Sequence, residues 1–326
     1  MNSDILNEVI DYREYNASDY ESYAKFCEEN FGKKNYQLNR SYLDWLYKDT
    51  DRSFTVAISG GEVIGIIHNF KAPIAFNDGY KLVTVLHDLM VDNKHRAGAG
   101  FHLMQKGLYS DDYVVLPGSV GRLSRAYGRL GSKSFNSFWY KKFQMPRGFF
   151  SLRKVKNLLK YKELAKKQGL LFGNSIESKD EFIESALNKF CDIESYVNYF
   201  KWRFFDKSAP LTFYVADENK KNSALFVIGK RGRLPYVRIF YVNTQSEIVL
   251  SDILKFISKI AGKIGVPVLL YTSFESAPPS SLNYKSYAEI PISYIYSKKK
   301  DYDFSTEVPS FCSDIGFDGV NPYETV

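Results

Sequence analysis

The order of apolar and polar positions predicts an alternation of short strands and helices. Residues 8–15, EVIDYREY, read as a strand, and 18–32, SDYESYAKFCEENFG, as a helix. Ser18 can cap that helix, Glu21 completes a capping box, and Gly32 can end it. RSYLDWLY (40–47) reads as a second, aromatic helix. SFTVAISGGEVIGIIHNF (53–70) reads as a hairpin with Gly60-Gly61 at its tight turn. KLVTVLHDLMV (81–91) is mostly apolar, which predicts a strand central in its sheet. A helix over Ala99–Leu108 follows, then a buried strand (YVVLPGSV, 113–120), a helix (GRLSRAYGRLG, 121–131) and a strand-forming stretch (SFNSFWYKKF, 134–143).

The stretch 151–171, SLRKVKNLLKYKELAKKQGLL, breaks this pattern. Seven cations, from Arg153 to Lys167, crowd one helical segment, and Leu152, Val155, Leu159 and Leu164 can form an apolar stripe between them. A linker helix with a solvated basic face is expected, and contact with a membrane surface through 152–167 is the sharper alternative.

Beyond it the opening pattern recurs. SKDEFIESALNKF (178–190) starts with Ser178 and Glu181 as the first helix did with Ser18 and Glu21, and Trp202 in YVNYFKWRFF answers Trp45. Strands (TFYVADE, ALFVIGK, YVRIFYV), the helix SDILKFISKIAGKIG and the strand VPVLLYTS complete the echo, so the chain reads as an internal duplication. The copies differ at one place. Between its third strand and its helix the first copy carries HRAGAG (95–100), whereas the second passes through SEIVLSD (246–252), which offers ordinary capping.

Composition narrows the reading. A chain of 326 residues favours two cores over one. The net charge of +7 suits an anionic ligand. Three cysteines far apart in sequence form neither a disulfide framework nor a metal-ligand cluster, which favours a reducing, cytoplasmic location. The opening residues lack a basic n-region, and no apolar run approaches the roughly 20 residues needed to span a bilayer. The histidines lie between His68 and His102 without metal-ligand spacing, so no metal is expected; His102 is expected on an exposed helix face.

HRAGAG stands between a strand and a helix. The first helical turn has free N–H groups at the positive end of the helix dipole, and residues without bulky side chains let a phosphate reach them. A dinucleotide fingerprint is incomplete here, and the G-K-[ST] of a P-loop is absent. VDNKHRAGAG resembles the acyl-CoA signature of the GNAT-type N-acetyltransferase superfamily, [Q/R]-x-x-G-x-[G/A]. Gly98 and Gly100 stand at the small positions and His95 at the polar one, where Gln or Arg is usual; Arg96 can supply the charge. AYGRLGSKSF resembles the family's Y-x-x-[L]-G-F segment, with Tyr127 at the tyrosine, Gly131 at the glycine and Ser132 in place of Phe. The resemblance covers roughly residues 8 to 143.

The resemblance implies an α/β (α+β) fold of two GNAT-like domains, each a mixed, mostly antiparallel central sheet flanked by helices. Residues 1–148 would form the catalytic domain, 149–169 the basic linker helix, and 170–326 a degenerate copy. It further implies acetyl-CoA as co-substrate. Pantetheine would lie along a splayed strand end at Met90 and Val91, with an oxyanion donor near Val91. The diphosphate would sit on the amides of Arg96, Ala97, Gly98, Ala99 and Gly100. Tyr127 would be the acid that protonates the leaving thiolate. The strand position of Asp88 makes it the candidate base, with His87 and Asp88 expected on opposite strand faces. The acceptor would be a primary amine, small or lipid-linked, such as an amino sugar of a bacterial surface-polysaccharide pathway. A homodimer is compatible with this, and nucleic acid is not an expected partner. Two alternatives stand beside it: an aminoacyl-tRNA-dependent transferase resembling peptidoglycan-bridge enzymes, and a non-catalytic protein binding a nucleotide or another anionic ligand.

Overall fold

The computed structural model describes residues 9–33, 35–47, 54–76, 79–96, 98–119, 121–135, 138–174, 198–199, 201–206, 211–231, 233–244, 246–273, 276–288 and 292–299. The helix expected at 178–190 lies outside them, as does Ala97. Among the described residues, no helix is long and apolar enough to cross a membrane. Contacts divide the chain into two units. One gathers the described parts of 1–72, 83–117 and 294–302, the other those of 73–82 and 118–293.

The first unit opens with β1 (Asp11–Glu14), α1 (Tyr20–Phe31) and α2 (Arg40–Leu46). β2 (Phe54–Ser59), β3 (Glu62–Phe76) and β4 (Gly79–Val91) follow, then α3 (Ala99–Leu108) and β5 (Tyr113–Ser119). In the sheet, β1, β2, β3, β4 and β5 lie in sequence order. β1–β2 and β2–β3 pair antiparallel, and β4–β5 parallel with α3 as the crossover. Gly60 and Gly61, at φ +57° and +82°, close the β2–β3 hairpin as its sequence predicts. Tyr23, Phe26 and Cys27 of α1 and Leu43 of α2 pack on Phe54, Val56, Val63 and Ile66.

The start of α1 differs in detail from its expected capping box. Asn16 and Asp19, not Ser18 and Glu21, form the box around a 3-10 turn at Ala17–Asp19. Arg13 decides the register by gripping Asp19 through two bonds, at 2.7 and 2.8 Å.

The second unit contains α4 (Gly121–Arg129), β6 (Lys133–Phe135) and β7 (Phe138–Phe143). α5 (Leu152–Lys156), α6 (Lys162–Lys166) and β8 (Leu170–Asn174) come next. Then come β9 (Thr212–Asp217), β10 (Ser223–Arg231), β11 (Leu234–Asn243), α7 (Glu247–Lys263), β12 (Val268–Ser273) and β13 (Lys285–Ser286). Its seven-stranded sheet runs β13-β7-β12-β11-β10-β9-β8. β9–β10 and β10–β11 pair antiparallel and β11–β12 parallel, with α7 as the crossover, so the pairing order of the first unit is repeated. β7, inside the expected 1–148 segment, pairs with β12 in this sheet. The last strand, β14 (Ile292–Ser297), inside 170–326, lies for the most part within the first unit. Partner choice between strands is non-local, and a strand's own pattern does not encode it.

The basic segment is not one helix. α5 and α6 are separated by a 3-10 turn at Leu158–Tyr161. Val155, Leu158 and Ala165 turn into the second unit's core, while Leu152, expected on the apolar stripe, is 53% exposed. Tighter 3-10 winding rotates Leu158 inward, which the 3.6-residue stripe could not anticipate.

Candidate functional site

α3 lies close against the sheet because Gly107 has no side chain to hold it off. A side chain at Gly107 would come within 2.8 Å of Leu86 Cδ1 and 3.1 Å of Ile67 Cδ1. The helix begins at Ala99 with Gly98 as N-cap, and no side chain caps it. Gly98 O accepts from Phe101 N and His102 N at 3.0 and 3.1 Å, while no hydrogen bond among the described residues engages the amides of Gly98, Ala99 and Gly100. A Cβ at Gly98 would meet nothing within 4 Å, and one at Gly100 would touch only Val91 Cγ2 at 3.5 Å. Close packing therefore does not account for glycine at either position. What they preserve is open backbone at the positive end of a helix.

The counterpart helix α7 starts closed. Ser246 Oγ accepts from Val249 N at 3.5 Å, and Ser246 N donates to Asn222 Oδ1 and Thr244 Oγ1 at 3.1 and 3.2 Å. The duplicated architecture thus has one helix start filled by side chains and one left bare.

Leading into the bare end, β4 outruns its pairing with β5. Among the described residues β4 and β5 pair at Thr84–Val114 and Val85–Val115, yet β4 continues to Val91. Val91 is buried, and Met90 is partly buried against the α1–α2 core. Asp92 caps the 3-10 turn Asn93–His95 through Lys94 N, and Arg96 Nε reaches back to Val91 O at 3.4 Å. His95 Nδ1 lies 3.5 Å from Asp92 Oδ2. With Asp92 and Lys94 it lines a cavity of about 430 Å³ beside the β2–β3 turn, whose walls do not include Gly98 or Gly100.

Asp88 adopts φ +52° within β4. That left-handed residue breaks strand alternation, so His87 and Asp88 meet instead of facing apart. His87 Nδ1 lies 3.1 Å from Asp88 Oδ2, and Gln37 Nε2 donates to the same oxygen at 3.1 Å. His68, from β3, stands edge-on to His87 with ring centroids 5.4 Å apart, and its Nε2 is 3.3 Å from Tyr23 Oη. Sequence reasoning placed Asp88 here but missed its partner, because a positive φ in mid-strand has no periodic signature; Asp, which tolerates that conformation, was the one available sign. Donor atoms of His68, His87 and Asp88 lie within 4.8 Å of one another, a set that a divalent cation could use. The Asp88 oxygen is already engaged by His87 and Gln37, an arrangement suited to orienting the imidazole.

Burial holds the His68 pKa well below its usual value, with the neighbouring His87 adding to the effect. A histidine that stays neutral when folded but protonates when unfolded makes the unfolded chain bind more protons. Stability should therefore be complete above about pH 6.5 and fall as pH drops below it, by up to about 1.4 kcal/mol per pH unit for one proton. Melting curves between pH 7.5 and 5.5 measure this, and His68→Gln should flatten the dependence. An identical slope in that variant would remove His68 as the cause.

Tyr127 lies on α4 in the second unit and is 4% exposed. Burial raises its pKa, which keeps the phenol protonated and able to donate. The spacing Tyr127–Gly131 also has a local cause. Gly131, at φ +84°, is the residue just past the helix end, with Gly131 N donating to Gly128 O and Ser132 N to Tyr127 O, both at 3.1 Å. This Schellman cap needs glycine at 131 whatever the tyrosine does. Cys27 is fully buried and its thiol is pushed up to about 12, so it is no thiolate nucleophile.

The fold is that of the GCN5-related N-acetyltransferases, in tandem. A GCN5-related N-acetyltransferase from Kribbella flavida superposes with a TM-score of 0.56 at 10% identity, over 89% of this chain and 72% of that one. One from Anabaena variabilis gives 0.57 at 12%, over 88% and 72%. A tandem GNAT protein from the clavulanic acid biosynthesis pathway gives 0.53 at 9%, over 89% and 98%. At these identities the likeness establishes the fold. No protein-family model matches the sequence, and no curated protein matches it.

Proposed function

We propose that the protein is an N-acyltransferase that moves an acetyl or other short acyl group from acyl-CoA to a primary amine. The observation that carries this is the uncapped start of α3, set against its capped counterpart in the same tandem fold. Open amides at a helix N-terminus suit a diphosphate, and the end of β4 that runs on past its pairing with β5 suits an extended arm with amide groups of its own.

In this reading residues 1–148, which include Tyr127, form the catalytic copy and 170–326 the degenerate one. The amine nitrogen attacks the thioester carbonyl carbon, its surplus proton passes to the His87–Asp88 pair, and the C–S bond breaks. A backbone N–H near Val91 stabilises the oxyanion, and Tyr127 protonates the departing thiolate. An amino sugar, free or lipid-linked, is the first acceptor class to test. The reducing cytoplasm, which supplies acyl-CoA, is the proposed location.

Thiol release from acetyl-CoA over a panel of amines tests the activity. Tyr127→Phe should lower kcat by about a hundredfold while leaving the KM for acetyl-CoA nearly unchanged. Turnover unaffected by that change would remove Tyr127 as the acid. Retention on tRNA without any CoA binding would replace acyl-CoA by an aminoacyl-tRNA donor. Ligand binding with no turnover on any amine would favour the non-catalytic alternative.

A further inference from the structure

A surface of the second unit joins a firmly held backbone to uncovered apolar side chains. Past β7 the chain runs from Gln144 to α5. Gln144 N donates to Pro267 O, and Arg147 N to Gly262 O, both at 2.9 Å. The Gln144 side chain donates to Ser258 O and Val266 O at 3.1 Å and accepts from Ser258 Oγ at 2.5 Å. Gly265, at φ +87°, lies so close that a Cβ there would stand 2.3 Å from Phe150 N. Phe150 packs on the core. Yet Phe143 is 67% exposed, Met145 92%, Phe149 93% and Leu152 53%. Exposure on a loose loop would mean little. Here the main chain is tied at several points, so the apolar groups are held out in water, and a cluster of that kind marks an interaction surface.

Cations surround the cluster. A groove of about 700 Å³ beside Met145 is walled by Lys142, Arg147, Lys255 and Lys259 and contains no carboxylate in its lining. Lys255 also pairs with Asp252 at 3.1 Å. Arg153 and Lys156 of α5 are exposed alongside, and Lys154 Nζ donates to Phe149 O at 2.8 Å, which holds the ring's own backbone. Cations alone would suit a dissolved phosphate, but that ligand would give Met145 and Phe149 nothing to cover them. A bilayer with anionic headgroups answers both halves of the surface, because apolar groups enter the headgroup–acyl boundary while cations pair with phosphates.

We propose that residues 142–156, with Lys259, dock the second unit onto an anionic phospholipid bilayer. Met145, Phe149 and Leu152 insert, and Lys142, Arg147 and Lys259 bind headgroup phosphates. The contact lies earlier in the chain than the 152–167 segment its charge suggested, because Leu158 and Ala165 are committed to the core.

Co-sedimentation of the full chain with vesicles tests this, using phosphatidylcholine alone and phosphatidylcholine with about 30 mol % phosphatidylglycerol. The protein should partition onto the anionic vesicles and be released by raised salt. The double variant Met145→Ser/Phe149→Ser should lose at least about tenfold in partitioning with an unchanged melting temperature, since both side chains stand in water. Lys142→Gln/Arg147→Gln/Lys259→Gln should lose a similar factor. Absence of binding to anionic vesicles overturns the proposal, as does binding indifferent to the Ser variant, which would reduce it to charge attraction. A concentration-dependent dimer abolished by the Ser variant, or retention on RNA, in a protein that ignores vesicles would assign the surface to another partner and also overturn it.

Discussion

Gly98→Leu should weaken acyl-CoA binding by about a hundredfold or more while leaving the folded protein intact. The expected loss follows from charge-assisted hydrogen bonds, each contributing about 1.5–3 kcal/mol, of which a bulky side chain over the first turn of α3 would block two or more. Stability should hold because a side chain at 98 meets nothing within 4 Å. Titration calorimetry with CoA, read beside the melting temperature of the unliganded protein, separates the two effects. Gly100→Ala is the graded companion, since its Cβ would make ordinary contact with Val91 at 3.5 Å and should cost much less. Undiminished CoA affinity in Gly98→Leu would mean that the bare helix start is not where the diphosphate rests.

Asp88→Asn should lower kcat by a factor of about 10² to 10⁴ with little change in CoA affinity. The substitution suits the site, because asparagine tolerates the left-handed conformation that Asp88 holds at φ +52°. It keeps an acceptor for Gln37 and removes the charge that orients His87 and stabilises its protonated form. The acid limb of the pH–rate profile should change along with the rate, which a merely structural defect would not produce. Asp88→Ala is the less informative variant, since it would add backbone strain at positive φ. Normal turnover in Asp88→Asn would dismiss the His87–Asp88 pair as proton acceptor and leave the buried His68–Tyr23 contact a packing feature.

Much of the scaffold was legible from neighbouring residues. The β2–β3 hairpin, α2, the long β4, and α3 at Ala99–Leu108 all fall where periodicity and the glycine pair put them. The bareness of HRAGAG against SEIVLSD was also legible, and the geometry repeats it, α3 being uncapped and α7 capped. The candidate base was half legible: Asp88 could be named, but the meeting with His87 depends on one positive φ that erases strand alternation. Arg13, six residues upstream of Asp19, displaced the cap of α1 in the same way, through a side-chain contact that no spacing rule contains.

By itself the sequence determined the period of each element, the turns that glycine permits, the duplication, and the stretch of backbone left without bulky side chains. These are local properties, set by φ/ψ preference and by side chains within about one turn of each other. Only the tertiary structure decided that β7 joins β12, that the 151–171 segment breaks into short helices around Leu158, that Phe143, Met145, Phe149 and Leu152 stay outside, and that two histidines and an aspartate gather around β4. Each of those is settled by what a distant segment packs against, and burial energy has no sequence distance.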